Sequence, residues 1–290
     1  MPRGVVKARS SVTIRSHARG SPSRRRTPLR LAVLGSGSGG NATCIEGGGA
    51  RILLEAGFSC RELGLRLRAK DVEPHRLDAI VITHEHHDHI RGAAMFSRKH
   101  QVPVYCTAAT FRAAGFDRAG VHGDGVFEHV PVTPGVPFEI GGLRLRPFPV
   151  PHDAADAVGY SVECGGARLG YATDLGHDAL AVRAALHNCD VLMLESNHDV
   201  EMVKTGPYPF SVKERVLGRH GHLDNDTAAA LLCEVTTDRT SRVILAHLSR
   251  TNNRPQLALG AAQRAFERHG RPAPALHPAA QTAPSSWFEV

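Results

Sequence analysis

The stretch Thr83-His84-Glu85-His86-His87-Asp88-His89 most constrains what this chain can fold into. It sets four metal-ligand side chains, His84, His86, Asp88 and His89, within six residues at the end of an apolar run. The preceding Ala79-Ile80-Val81-Ile82 is short and β-branched, the composition of a strand buried on both faces. In an extended segment His84 and His86 lie on one side, so both imidazoles can approach one ion at about 2 Å. Asp88 and His89 can then turn toward a second position. The plain alternative is a solvated, His-rich turn.

Three later positions repeat the arrangement of a polar residue behind a strand: Pro151-His152, Thr173-Asp174 and Ala246-His247. Taken singly, a histidine after proline is an ordinary exposed loop residue, and an aspartate ahead of a helix is an ordinary N-cap. Asp178 fits the cap role better than Asp174, because the next helix is expected from about Asp178 to Leu186. The four motifs stand in the order found in the metallo-β-lactamase fold superfamily, which the chain resembles. The loop Gly35-Ser36-Gly37-Ser38-Gly39-Gly40-Asn41 resembles the start of one branch, the YycJ/WalJ-like proteins. So do Glu195-Ser196-Asn197-His198-Asp199, Gly221-His222-Leu223-Asp224-Asn225 and His247-Leu248-Ser249-Arg250-Thr251-Asn252-Asn253. The resemblance covers about 29–290.

That resemblance implies an α/β fold, a four-layer αββα sandwich with metals at one edge of two mixed sheets. It implies two divalent ions, Zn or Mn. His84, His86, His152 and Asp174 would hold one; Asp88, His89 and His247 would hold the other, with Asp174 bridging. Such a pair lowers the pKa of a shared water toward roughly 7 and clamps a phosphoryl group for in-line attack. The branch implies a DNA exonuclease acting from 5′-phosphate ends, with Asp88 and Asp174 in the catalytic centre. Ser249, Arg250 and Asn253 are candidate donors to the terminal phosphate, and His222 or His198 could protonate the leaving oxygen or steady the scissile phosphate. For each of these the alternative is a loop-stabilising contact. Glu55 stands where the superfamily usually has Asp, and its extra methylene calls for a small backbone adjustment. The 72 residues between Asp174 and His247 leave little room for the inserted domain of the β-CASP nucleases.

Periodicity supplies the remaining elements. Strands are expected at 31–34, 42–46, 51–55, 102–105 and 191–194, and an antiparallel meander over 126–130, 136–140, 143–150, 158–163 and 168–172. Pro147 and Pro149 confine the third meander strand to an edge or end it early. Helices are expected at 59–70, 90–99, 108–114, 211–217 and, capped by Asn225, up to Glu234. The glycine loop reads as flexible and polar, and it lacks the Lys-Ser/Thr ending of a P-loop. Residues 272–284 read as a tail, with Trp287–Val290 apolar enough to return as a last strand.

A chain of 290 residues with 42% hydrophobic content can bury a sizeable core. Its net charge of +7 suggests nucleic acid, but the first 30 residues hold 9 of the 35 basic side chains and no acid, so the rest is near neutral. Residues 1–28 therefore read as a disordered basic tail, either a non-specific phosphate binder or an extension without function, ahead of one catalytic domain over 29–290. No apolar run spans a membrane. Six scattered cysteines without a Cys-x-x-Cys read as reduced thiols in a cytoplasm. No feature sets an oligomeric state. Two other readings stay open: a small-molecule phosphodiesterase or thioester hydrolase on the same metals, and a non-catalytic metal-stabilised regulatory module.

Overall fold

The computed structural model describes residues 28–117 and 125–290. The expected basic tail, 1–28, lies outside the described residues except for Pro28. Strands β1 (Arg30–Gly35), β2 (Ala42–Gly47), β3 (Ala50–Leu54), β4 (Ala79–Val81), β5 (Val104–Thr107) and β6 (His129–Val132) lie side by side in chain order. They are antiparallel from β1 to β3 and parallel from β3 to β6. A second sheet runs through β7 (Phe138–Ile140), β8 (Leu143–Pro149), β9 (Val158–Cys164), β10 (Ala167–Ala172), β11 (Val191–Glu195), β12 (Arg242–Ala246) and β13 (Ala275–Pro278). It is antiparallel up to β10 and parallel beyond. The chain then crosses back, and β14 (Phe288–Glu289) pairs with β1.

Helices α1 (Cys60–Arg68), α2 (His87–Ile90), α3 (Ala93–His100) and α4 (Ala108–Ala113) belong to the first half. The second half carries α5 (Leu180–Leu186), α6 (Val200–Thr205), α7 (Phe210–Leu217), α8 (Asn225–Val235) and α9 (Pro255–Arg268). Strand alternation sorts side chains between layers. Ala79 and Val81 of β4 join Val191 and Met193 of β11 between the sheets. Ile80 and Ile82 instead meet Leu63 and Leu67 of α1 and Phe96 of α3 on the outer face. Leu192 and Leu194 face Val182, Leu231 and Ala261 of α5, α8 and α9. The result is the expected αββα sandwich, in which both faces of each central strand are dry.

Several local expectations are corrected. β6 pairs with β5 in the first sheet, so the antiparallel meander begins only at β7. The helix expected over 90–99 is two, α2 and α3, broken at Gly92, where a Cβ would stand 2.2 Å from the Phe58 carbonyl oxygen. Asp178 caps nothing; it pairs with Arg183, and Ala179 holds the cap position of α5 without a side-chain bond. Asp224, not Asn225, caps α8, accepting from the N–H groups of Asp226 and Thr227 at 2.9 Å each. The expected tail contains β13. Pro147 and Pro149 do sit on an edge, because β7 pairs only with Leu143–Leu145. Among the described residues, no helix is long and apolar enough to cross a membrane.

Candidate metal centre

Loops at one end of both sheets carry the candidate donors. The segment after β4 supplies His84, His86, Asp88 and His89, the loop after β8 His152, the loop after β10 Asp174, and the loop after β12 His247. Donor atoms of His84, His86 and His152 lie within 4.8 Å of one another, as do those of Asp88, His89 and His247, and those of His84, His89 and Asp174. The Asp174 carboxylate reaches both sides, with Oδ2 3.2 Å from His89 Nε2 and Oδ1 3.8 Å from His152 Nε2. Asp88 Oδ2 stands 3.2 Å from His247 Nε2. Three residues around this cluster, Glu55, Asp174 and His247, have left-handed backbones with φ of 65°, 60° and 53°. Such conformations cost on the order of 1 kcal/mol or more each for side chains of this size, and such strain concentrates at functional sites.

Three of the imidazoles are held through Nδ1. Nδ1 of His84 meets Thr83 Oγ1 at 2.9 Å, Nδ1 of His152 meets the Gly221 carbonyl at 3.1 Å, and Nδ1 of His247 meets Glu195 Oε1 at 2.9 Å. Glu55 Oε1 lies 3.4 Å from His89 Nδ1 and accepts from the Thr83 N–H at 3.2 Å. Glu55 thus keeps the histidine loop in reach. His86 is reversed, with Nδ1 inward, 3.1 Å from His152 Nε2. Fixing the outer nitrogen leaves the inner one as a lone-pair donor.

The donor chemistry fits a divalent cation. His84 Nε2 is buried and has no hydrogen-bond partner, and buried Asp174 Oδ2 meets His89 Nε2 at 3.2 Å without hydrogen-bond geometry. Burial, reinforced by the nearby His89, pushes the His84 pKa well below its ordinary value, so its ring is a neutral donor. Burial lowers His152 likewise. Burial alone would raise the Asp174 carboxyl, but His247 and His89 beside it hold it well below the usual carboxylate range. Neutral imidazoles and ionised carboxylates without thiolate are the ligands of Zn and Mn alike.

Comparison with known proteins is consistent with this geometry. Residues 50–248 match the family model for the beta-lactamase superfamily domain. The chain belongs to the metallo-β-lactamase superfamily, in its YycJ/WalJ-like branch. It is 31% identical to exodeoxyribonuclease YycJ of Bacillus anthracis, over 83% of this chain and 90% of that one. It is likewise 31% identical to exodeoxyribonuclease WalJ of Streptococcus pneumoniae, over 79% and 85%. The fold matches the crystal structure of the metallo-β-lactamase fold protein YhfI of Bacillus subtilis with a TM-score of 0.69 at 17% identity, covering 91% of this chain and 99% of that one.

Within this metallo-β-lactamase domain, a cavity of about 350 Å³ opens onto the cluster. Asp88, Asp174, His222, His247 and Ser249 line it, whereas Arg250, His198 and Asn253 do not. His198 is buried behind the wall and bridges to Asp224. Asn253 spends its amide on the Ser196 and Asn197 carbonyls and on a reciprocal pair with Asn225, so it has no donor left for a phosphate. Exposed Arg250 lies near Gly39.

Two residues of structural consequence carried no assigned role in the sequence. Glu195 is fully buried at the end of β11, and its Oε1 accepts from both His222 and His247. Its signals were a carboxylate closing an otherwise apolar strand and its place at the head of the branch-like stretch 195–199, neither of which assigned it a role. Asn41 ends the glycine loop and is tied to its start by hydrogen bonds from Ser36 and Gly37. Its Oδ1 accepts from the Gly37 N–H at 2.8 Å, and its Nδ2 lies 3.1 Å from His89 Nε2. Ser36 Oγ accepts from the His247 N–H at 2.9 Å, so the loop ties together donors from both sheets.

Proposed function

We propose that the chain is a divalent-metal-dependent phosphodiester hydrolase, and specifically a 5′-phosphate-dependent 5′-to-3′ DNA exonuclease. The observation that carries this reading is its 31% identity, along 83% of its length, to a protein named an exodeoxyribonuclease, in a family match that spans every donor from His84 to His247. His84, His86, His152 and Asp174 would hold one ion, and Asp88, His89 and His247 a second, with Asp174 shared. When bound, such ions supply Lewis acidity that makes a water nucleophilic near neutral pH and offsets charge on a phosphodiester.

The chain's own groups do the rest. Glu195 holds His222 by Nδ1 at 2.8 Å, which leaves the other nitrogen of a cavity-lining imidazole to pass a proton to the leaving oxygen. In metal-free protein burial works against the protonated ring, but Glu195 and Asp174 outweigh it and raise its pKa. Ser249 offers a hydroxyl to the terminal phosphate from the cavity wall, and Arg250 adds positive charge from outside it.

A second reading is favoured by one observation. Neither Arg219 nor Arg250 lines the cavity, and Arg215, which does, is engaged by Asp153, which suits a small phosphodiester or thioester as well as DNA. The test is degradation of end-labelled DNA carrying a 5′-phosphate or a 5′-hydroxyl, with Mn or Zn and after chelation. Metal-dependent loss from the phosphorylated end alone supports the exonuclease. No cleavage with metal bound shifts the reading to the small-molecule hydrolase, and no hydrolysis of any ester leaves the regulatory module.

A further inference from the structure

The outer face of the first sheet carries a groove of about 290 Å³ between α1 and α3. It shares no residue with the cavity at the metal cluster. Arg61, Gly64, Leu65 and Arg68 recur at helical spacing and form one stripe of α1, and Met95 and Lys99, one turn apart on α3, form the facing wall. Both helices turn their other faces to the sheet, where Leu63, Leu67 and Phe96 enter the core. Leu65 and Met95 stay outside it, 52% and 61% exposed. Single exposed apolar side chains are ordinary, but two that line one groove offer an apolar floor to a partner.

Two features of the stripe work against the stability of α1. Gly64 lies in the helix interior, which costs about 1 kcal/mol relative to alanine. Its missing side chain keeps the floor of the groove open, and a Cβ there would stand 3.1 Å from Arg68 Nη1. Arg61 lies in the first turn, where a cation opposes the helix dipole. The dipole accounts for Arg68 and Lys99 in the last turns of their helices, but not for Arg61. Elsewhere on α1 charge is matched, Arg66 donating to Glu62 at 2.7 Å. Around the groove it is not. No Asp or Glu lines it, and among the described residues the side chains of Arg61, Arg68 and Lys99 have no hydrogen bond or ion pair.

We infer that the groove between α1 and α3 docks a short acidic segment of a partner protein, with a large apolar side chain of that segment between Leu65 and Met95 and its carboxylates on Arg61, Arg68 and Lys99. An apolar floor inside an unneutralised basic rim is complementary to that chemistry. A second copy of this chain is a poor occupant, because two-fold pairing sets the same cations against one another. The first 30 residues of the chain, with 9 basic side chains and no acid, carry the same sign as the rim. A nucleic-acid strand would meet the cations with its phosphates but leave Leu65 and Met95 against a charged backbone. The groove and the metal cavity have no residue in common, so the docked segment tethers the protein without occupying that cavity. The inference is independent of the reaction proposed above.

The experiment uses the full chain and an array of heptapeptides whose central residue is varied and whose flanks are all acidic, all basic or all serine, followed by fluorescence anisotropy with the strongest binder. Signal is expected only where acidic flanks surround Leu, Ile, Met, Phe or Trp, and added salt should weaken it. Changing the central residue to serine is expected to weaken binding about 10-fold or more. The paired variants Arg61→Glu with Lys99→Glu and Leu65→Ser with Met95→Ser should do the same, with melting temperature and metal content at wild-type values. Arg264→Glu with Arg268→Glu, a reversal of two exposed cations on α9, should leave binding unchanged. No signal from acidic flanks, equal binding of the serine-centred peptide, or equal loss in the groove and α9 variants overturns the proposal. Tighter binding of single-stranded DNA or of phosphatidylglycerol vesicles, lost in Arg61→Glu with Lys99→Glu, assigns the groove to those ligands and likewise overturns it.

Discussion

Glu195 Oε1 lies 2.9 Å from Nδ1 of His247, and the same oxygen receives Nδ1 of His222 at 2.8 Å. Its other oxygen accepts from the N–H groups of Leu175 and Leu223 at 2.8 and 3.1 Å. One buried carboxylate thus orients a candidate metal donor, His247, and a candidate proton donor, His222, and anchors two loops. Glu195→Gln keeps the shape but removes the charge, and is expected to weaken metal binding about 10- to 100-fold. Competition against a chelator of known affinity measures this, and unchanged affinity would separate Glu195 from the metal centre. Glu195→Ala also strands two buried N–H groups, at about 1–3 kcal/mol each, and should lower the melting temperature of metal-free protein.

Asp174 touches donors from both candidate ion sites. Asp174→Ala is expected to abolish hydrolysis while circular dichroism stays that of wild type, because the αββα core does not include this residue. Metal analysis should find fewer bound ions per chain. Full turnover in this variant would dispose of the shared-carboxylate arrangement.

The fold was legible in the sequence, and so was the set of candidate donors that the structure brings together, because their signals are local. A buried β-branched run, an abrupt change to histidine and glycine-rich turns are features of contiguous residues. His198 and Asn253 misled for the opposite reason. They sit in loops beside candidate site residues, and only the tertiary structure shows that His198 is buried outside the cavity lining and that Asn253 is saturated by internal partners. Glu195 was missed because its partners, His222 and His247, are 27 and 52 residues away. The parallel pairing of β6 with β5, ahead of the crossing to the second sheet, is likewise long-range, and periodicity does not say to which sheet a strand belongs.

Metal affinity should depend on pH. In metal-free protein, burial disfavours the charged form of His247, but Asp174, Asp88 and Glu195 outweigh it and raise its pKa to about 10. A raised folded value gives stability that is complete below the ordinary 6.5 and is lost as pH rises through about 10. Glu195 behaves oppositely. Burial raises it, His222 and His247 bring it down to about 2, and its contribution is present above 4.5 and lost as pH falls through about 2. A cation takes the place of the His247 proton, so binding should tighten from about pH 6 to 9 with release of protons. Metal-free protein should lose melting temperature toward pH 10, and metal-loaded protein should lose less. An affinity that is flat with pH would remove His247 from the ligand set.

Asn225 and Asn253 exchange amide hydrogen bonds, Asn225 Nδ2 donating at 3.0 Å and Asn253 Nδ2 at 2.9 Å. Ser196 Oγ donates to Asn225 Oδ1 at 2.7 Å, and Asn253 Nδ2 also reaches the Ser196 and Asn197 carbonyls. This pair fastens the start of α8 and the His247 loop to the end of β11, one step from Glu195. Asn253→Ala strands buried carbonyls and the Asn225 amide together, so about 2–4 kcal/mol of stability should be lost. Thermal and urea unfolding measure that loss. If Asn253 acts through this network, KM for a 5′-phosphorylated strand stays near wild type at temperatures well below the melting point. A large rise in KM without loss of stability would return Asn253 to the phosphate-binding role.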